Sequence, residues 1–185
     1  MKIADRQLTR SWLVAFGTAL FSLAQLGCQP IATGNRLTVA SAGKISSLDP
    51  AQASTVNTIQ LLSALGDPLY SLDGNGELIP RLAEASPIVS PDGLTVTIPL
   101  RRDVLFHDGT RFDAEAMAFS LRRFLEIGTL SYVVGGRIRS VEVAADHQLV
   151  LRLSRPSTSL EGLLTSVNLT PVSPTAYAQH RDGFL

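Results

Sequence analysis

The chain has 185 residues, 45% of them hydrophobic and 17% charged, with 16 basic side chains balancing 16 acidic ones. It is too apolar for a disordered chain and long enough to bury one real core. With no net positive field there is no electrostatic basis for nucleic-acid binding, so nucleic acid is not an expected partner.

Lys2, Arg6 and Arg10 precede an uncharged apolar run over residues 12–26, and Gly27-Cys28 closes it. That is the layout of an export signal, so residues 1–27 are set aside from the fold. The run is too short and too rich in small residues to read as a membrane span, an uncleaved anchor being the alternative. Without these residues, three basic side chains and one acidic one are lost, which leaves 13 against 15. Cys28 is the only cysteine and so has no disulfide partner in an oxidising compartment. With Gly27 before it, Cys28 resembles the lipidated first residue of a mature bacterial lipoprotein. Gln25 and Leu26 depart from that pattern, where an aliphatic and a small residue are usual. Lipidation would tether the chain to a membrane surface; the alternative is a buried or free thiol. Residues 28–36 are polar, with Pro30 and Gly34, and read as a tether.

Folding is expected from residue 37. Leu37 and Val39 alternate with small polar or small residues in a first strand, and Asp49-Pro50 marks a turn. Val56, Ile59, Leu62 and Leu65 recur at helical spacing up to Gly66, which predicts a helix over 55–65 with one buried stripe. Residues 67–72 and 77–80 flank Asp73-Gly74-Asn75-Gly76 as a hairpin; with no helix start and no Lys-Ser/Thr pair after it, this is no phosphate cradle. Residues 81–84 suggest a single helical turn, and residues 94–100 a strand carrying Pro99 at an irregular or outward-facing place.

Residues 100–117 form the most informative stretch. Leu100, Val104 and Phe106 are apolar, His107-Asp108-Gly109-Thr110 is a turn, and Asp113 caps a helix with Glu115 in its first turn. His107, Asp108, Asp113 and Glu115 are the ingredients of a metal or acid/base site, yet each acidic residue already has a structural task, and no His-x-x-x-His repeat or cysteine supports a metal cage. No metal and no cofactor is expected. The helix over 114–125 presents Met117, Phe119, Leu121, Phe124 and Leu125 to the core and turns Arg122, Arg123 and Glu126 away. Residues 137–144 and 148–153 then pair as strands, Ile138, Val141 and Val143 being answered by Leu149, Leu151 and Leu153, and His147 sits in their turn. A short helix around Leu160, Leu163 and Leu164 and a partial one within 171–178 complete the chain.

Four stretches together match a known family in order and spacing. They are residues 46–50 (SSLDP), 80–84 with 90–95 (PRLAE, SPDGLT), 100–115 around Phe106-His107-Asp108-Gly109-Thr110, and 141–143 with 151–156 (VEV, LRLSRP). On these the chain resembles the oligopeptide, dipeptide and nickel class of solute-binding proteins of ABC transporters, solute-binding protein family five. It departs at Ser86, where Trp is usual, and at Asp113, where Thr is common, although both cap helices. The resemblance implies a mixed α/β fold: an incomplete first lobe of a two-lobed binding protein, mainly antiparallel strands with packed helices, the second lobe being absent from residues 37–185.

The same resemblance implies a binding role rather than an enzymatic one. The solute would be a peptide or related small molecule, with nickel or other metal chelates and sugars as the family's other cases, and the partner an ABC permease. Location would be periplasmic or at the cell surface, on the lipid of Cys28. Lys44, Ile45 and Ser46 would line the ligand cleft, with Tyr132 as a stacking surface. The alternatives are a gene remnant, one half of a split protein that needs a second chain, or an extracytoplasmic hydrolase using His107 and Asp108. The last lacks a nucleophile elbow. An exposed apolar surface is expected where the rest of the lobe would pack.

Overall fold

A computed structural model describes residues 38–180 apart from Ser46, Gly135 and Thr158. The residues expected to form an export signal and a tether, Cys28 among them, and Leu37 lie outside the described residues. The residues from Ser41 onward form one compact unit, and residues 38–40 belong to a separate one. Residues 38–40 carry no regular structure, so the expected first strand is not formed over its described part.

In the unit that begins at Ser41 the elements in chain order are helix α1 (Val56–Leu65), strands β1 (Tyr70–Leu72), β2 (Leu78–Pro80), β3 (Ile88–Val89) and β4 (Thr95–Pro99), helices α2 (Ala114–Ile127) and α3 (Ser131–Val134), strands β5 (Ile138–Ala145) and β6 (Gln148–Leu153), and helices α4 (Leu160–Leu164) and α5 (Pro174–Gln179). Single 3-10 turns lie at Pro50–Gln52 and Val167–Leu169. All strand pairs are antiparallel: β1 with β2 as a separate hairpin, and a four-stranded sheet in the order β3-β4-β6-β5.

The sheet's register follows its hydrophobic pattern. Ile138 pairs with Leu153, Val141 with Leu151 and Val143 with Leu149. The spacing on β5 is uneven because the register shifts between Ile138 and Ser140, an irregularity that leaves both Ile138 and Val141 buried. Along β4, Val96 and Ile98 point inward and are fully buried, while Pro99, as the last strand residue, sits beyond the two residues that β3 pairs with. Helix α2 lies against β5 and β6, with Met117, Leu121 and Phe124 meeting Leu149 and Leu151 in one core. Each such fully buried side chain is worth about 1.5–3 kcal/mol. Arg122 on α2 donates to the carbonyl of Val141 at 2.7 Å, so a guanidinium is bonded to the edge strand β5.

Three expectations need correction. Residues 81–84 form no helical turn: the N–H groups of Arg81 and Ala83 both donate to the Leu69 carbonyl, so the segment bends around it, and Ala83 bridges to Leu100. The stripe of α1 is only partly buried, because Leu62 is covered but Val56 and Leu65 are 68% and 51% exposed. Arg123 does not turn away; it is 8% exposed, for a reason that belongs to the site.

Candidate functional site

The turn at residues 104–113 is built from its own backbone. Phe106 N–H donates to Thr110 O at 2.8 Å, Gly109 N–H to Phe106 O at 2.9 Å, and Phe112 N–H to Val104 O at 3.1 Å. Gly109 has φ +81°, a region open to glycine at little cost. Phe106 and Phe112 meet edge to face at 5.9 Å. Asp113 accepts from Ala116 N–H at 2.8 Å and so caps α2 as expected.

Asp108 is engaged on both oxygens in holding the turn. One carboxylate oxygen accepts from Thr110 N–H at 2.9 Å and from the Thr110 hydroxyl at 2.6 Å; the other accepts from the Ser173 hydroxyl. The bonds from Ser173 and Thr110 hold its carboxyl below the usual carboxylate range. Ser173 also accepts from Ala176 N–H at 3.1 Å, which makes it the cap of α5. A serine that donates straight to a carboxylate while capping a helix is not an imidazole-activated nucleophile. Thr110 to Asp113 therefore work as a joint, strapped to the start of α5.

A second strap has no local signal in the sequence. Asp49 and Arg123, 74 residues apart, form a bidentate pair whose side chains are only 3% and 9% exposed. Asp49 also accepts from Ala51 N–H at 3.0 Å and caps the 3-10 turn after it. The Arg123 guanidinium lies 4.7 Å from the ring centre of Tyr177, which packs edge to face on Phe119. Asn168 completes the arrangement, donating through Nδ2 to the carbonyls of Pro50 at 2.9 Å and Ala53 at 2.8 Å. Residues 49–53 are thus fixed to α2 and to the closing segment by charge, amide and ring. The SSLDP stretch and the Arg122-Arg123 pair are each legible, but nothing local links them.

Lys44 and Ile45 are solvent-exposed, Ile45 at 39%, and Ser46 lies outside the described residues. Gly43 just before them lies so close to the Asn57 side chain that an added Cβ would have to displace it, which sets the segment beside α1. Tyr132, on α3, is 73% exposed. None of Lys44, Ile45 and Tyr132 lines the principal groove, an open apolar cleft of about 500 Å³ between α1, the 104–107 turn and residues 170–172. Among the described residues no group of three or more His, Cys, Asp or Glu side chains gathers for a metal ion.

Solved structures share this architecture. The pheromone receptor PrgZ, described with its mode of peptide binding, superposes with a TM-score of 0.69 at 25% identity, over 74% of this chain and 30% of its own. The binding protein AgaA in complex with agropinic acid, from A.tumefacien R10, does so with a TM-score of 0.69 at 28% identity, over 77% and 29%. The fold is therefore that of part of a two-lobed binding protein. Residues 77–183 match the bacterial extracellular solute-binding proteins, family 5 (middle), and the chain belongs to that family. Over 175 residues it is 28% identical to the glutathione-binding protein GsiB of Salmonella choleraesuis, covering 94% of this chain and 33% of GsiB. The chain spans about a third of the length of the curated relatives it matches.

Proposed function

We propose that the chain is part of the extracytoplasmic solute-binding component of an ABC transporter, and that the solute is a peptide or a small peptide-like molecule. The observation that carries this is the family match over residues 77–183, supported by the similarity to a glutathione-binding protein and to a peptide-binding receptor. In such a protein, affinity comes from closing a cleft around the solute and excluding water. Lys44, Ile45 and Ser46 would offer main-chain groups to an extended ligand, and Tyr132 a ring face. The exposure of Lys44, Ile45 and Tyr132 favours that assignment, since core packing does not occupy them. Lipid on Cys28 would hold the protein at the membrane beside its permease, and the role is one of binding rather than catalysis.

The test is uptake. Deleting the gene in its native host is expected to abolish accumulation of at least one labelled peptide in a panel of di- and tripeptides that includes glutathione, and restoring the gene to recover it; unchanged uptake of the whole panel overturns the reading. A Cys28→Ser variant tests the anchor separately: it should move from the membrane fraction to the soluble one and lose labelled palmitate.

The second reading is that the binding protein is completed by another chain. The observation that favours it is the apolar groove, whose rim leucines are open to solvent.

A further inference from the structure

The segments that hold the candidate ligand contacts are nearly without charge. Residues 41–66 carry only Lys44 and Asp49, and residues 127–136 carry no charged side chain, in a chain that is 17% charged. The two segments meet. Thr129 donates through its N–H to the Ala51 carbonyl at 3.1 Å and through its hydroxyl to the Gln52 carbonyl at 3.4 Å, while Gly43 lies against the Asn57 side chain in the first turn of α1. Lys44 and Tyr132 therefore belong to segments tied to the same stretch, residues 51–57. Its exposed side chains, among them Gln52, Ser54 and Thr55, are uncharged.

Only one of the two charges is free. The Asp49 carboxylate is buried and paired with Arg123. Lys44 is exposed, and its ammonium has no ion-pair partner among the described residues. Helix α1, which starts beside it, has no acidic residue in its first turn. In open water such an ammonium is well solvated, but a cleft that closes and expels water strips its hydration, and an unpaired charge there is costly. The counter-charge that these segments lack is one that every peptide carries, in its terminal carboxylate or in an acidic side chain.

We infer that Lys44 is a specificity-determining residue: it receives a carboxylate of the bound peptide and so selects against peptides that bring an amide or an ammonium to that place. This rests on the binding-protein reading above and deepens it. An ammonium opposite Lys44 is repelled and an amide leaves the charge unanswered, so selection comes from rejecting the wrong solute as well as from attracting the right one. A compact cation on a flexible stem with three donors can meet a carboxylate from either source.

Competition for uptake in the native host tests it, with every value taken as the difference from a strain lacking the gene. The labelled probes are Ala-Ala, Ala-Glu-Ala, Ala-Lys-Ala and glutathione. Each is competed by its unlabelled form and by forms in which one carboxylate at a time is replaced by the primary amide. Strains carry the wild-type gene or Lys44→Gln, Lys44→Glu, Lys44→Arg or Arg139→Gln at its own locus, the last removing an exposed positive charge on β5. Immunoblotting checks that each variant accumulates. In the wild type, amidation of one particular carboxylate should weaken competition about tenfold or more, as loss of one charge-assisted contact does. The same amidation should change competition less than about threefold in Lys44→Gln, because the partner it addresses is gone. Lys44→Glu should prefer the amide, and Lys44→Arg and Arg139→Gln should behave as the wild type. The effective amide tells a chain end from an acidic side chain. Gene-dependent uptake that is indifferent to every amidation in the wild type overturns the inference alone and needs no variant to show it. A carboxylate preference that survives Lys44→Gln, or that Arg139→Gln abolishes equally, also overturns it alone. No gene-dependent uptake of any probe overturns the peptide-transport reading, and the role of Lys44 falls with it.

Discussion

Replacing Arg123 by Met should destabilise the fold substantially, because it strands a buried charge. The substitution keeps most of the side-chain volume but leaves the Asp49 carboxylate, whose side chain is 3% exposed, with the Ala51 N–H as its remaining donor in the turn. Removing one partner of a buried ion pair typically costs about 3–5 kcal/mol, because the other charge stays desolvated. The ring contact with Tyr177 adds to the loss, about 0.5–2 kcal/mol for a cation over an aromatic face. For a chain of this length, 3–5 kcal/mol corresponds to a fall in Tm of roughly 6–20 °C. Urea unfolding followed by circular dichroism would read it on the full chain. The double variant D49N/R123M carries no buried charge at either position, so it should recover much of the loss, and the cycle should show a coupling of at least about 1 kcal/mol. A fall below about 1 kcal/mol for R123M, or strict additivity of the two single changes, would refute the buried-pair account.

The geometry sets three other outcomes. Asn168→Ala leaves the carbonyls of Pro50 and Ala53 without their side-chain donor, and should cost about 1–3 kcal/mol in the same urea assay. Gly128→Ala places a Cβ 2.4 Å from the Phe124 carbonyl oxygen at the end of α2, so it should destabilise by more than about 1 kcal/mol, against a near-neutral Gly162→Ala whose added carbon meets nothing. Asp108 has a folded-state pKa below its unfolded one, so its contribution is present above about pH 4 and is lost as pH falls through the folded value. Asp108→Asn should therefore flatten the loss of stability between about pH 4 and pH 2, and an unchanged slope in acid titrations of unfolding would contradict the assignment.

How much is legible in the sequence depends on range. The joint at residues 104–113 can be read because the bonds that shape its backbone are local: Gly109, Asp108 and Asp113 act on neighbours within a few residues, and only the strap to Ser173 is distant. The β5–β6 pairing is legible for the same reason, the turn and the alternation fixing the register together. Arg123 escapes a local reading because a charge beside Arg122 on a helix reads as solvent-facing, and its partner Asp49 lies 74 residues away. Residues 81–84 look helical in isolation because the carbonyls that claim their donors, those of Pro68, Leu69 and Pro99, belong to other segments and not to the preceding turn of a helix. The stripe on α1 is plainly apolar, but periodicity does not say whether anything covers it, and Val56 and Leu65 are open. For ligand contact, the resemblance alone names candidates, because a cleft needs two walls and neither periodicity nor turn chemistry marks a residue that faces one.

The guanidinium of Arg122 on the Val141 carbonyl bears on how such a lobe avoids its own copies. An eight-residue edge strand such as β5 is a template for strand addition, and a long charged side chain held along it works against that pairing. At the opposite edge, β3 is only two residues long, between Pro87 and Pro91, too short and too irregular to recruit a neighbour. Both rims of the sheet are thereby poor starting points for fibrils or domain exchange, and self-association of this chain should proceed through side-chain contacts at its apolar cleft, as soluble oligomers, rather than through cross-β growth.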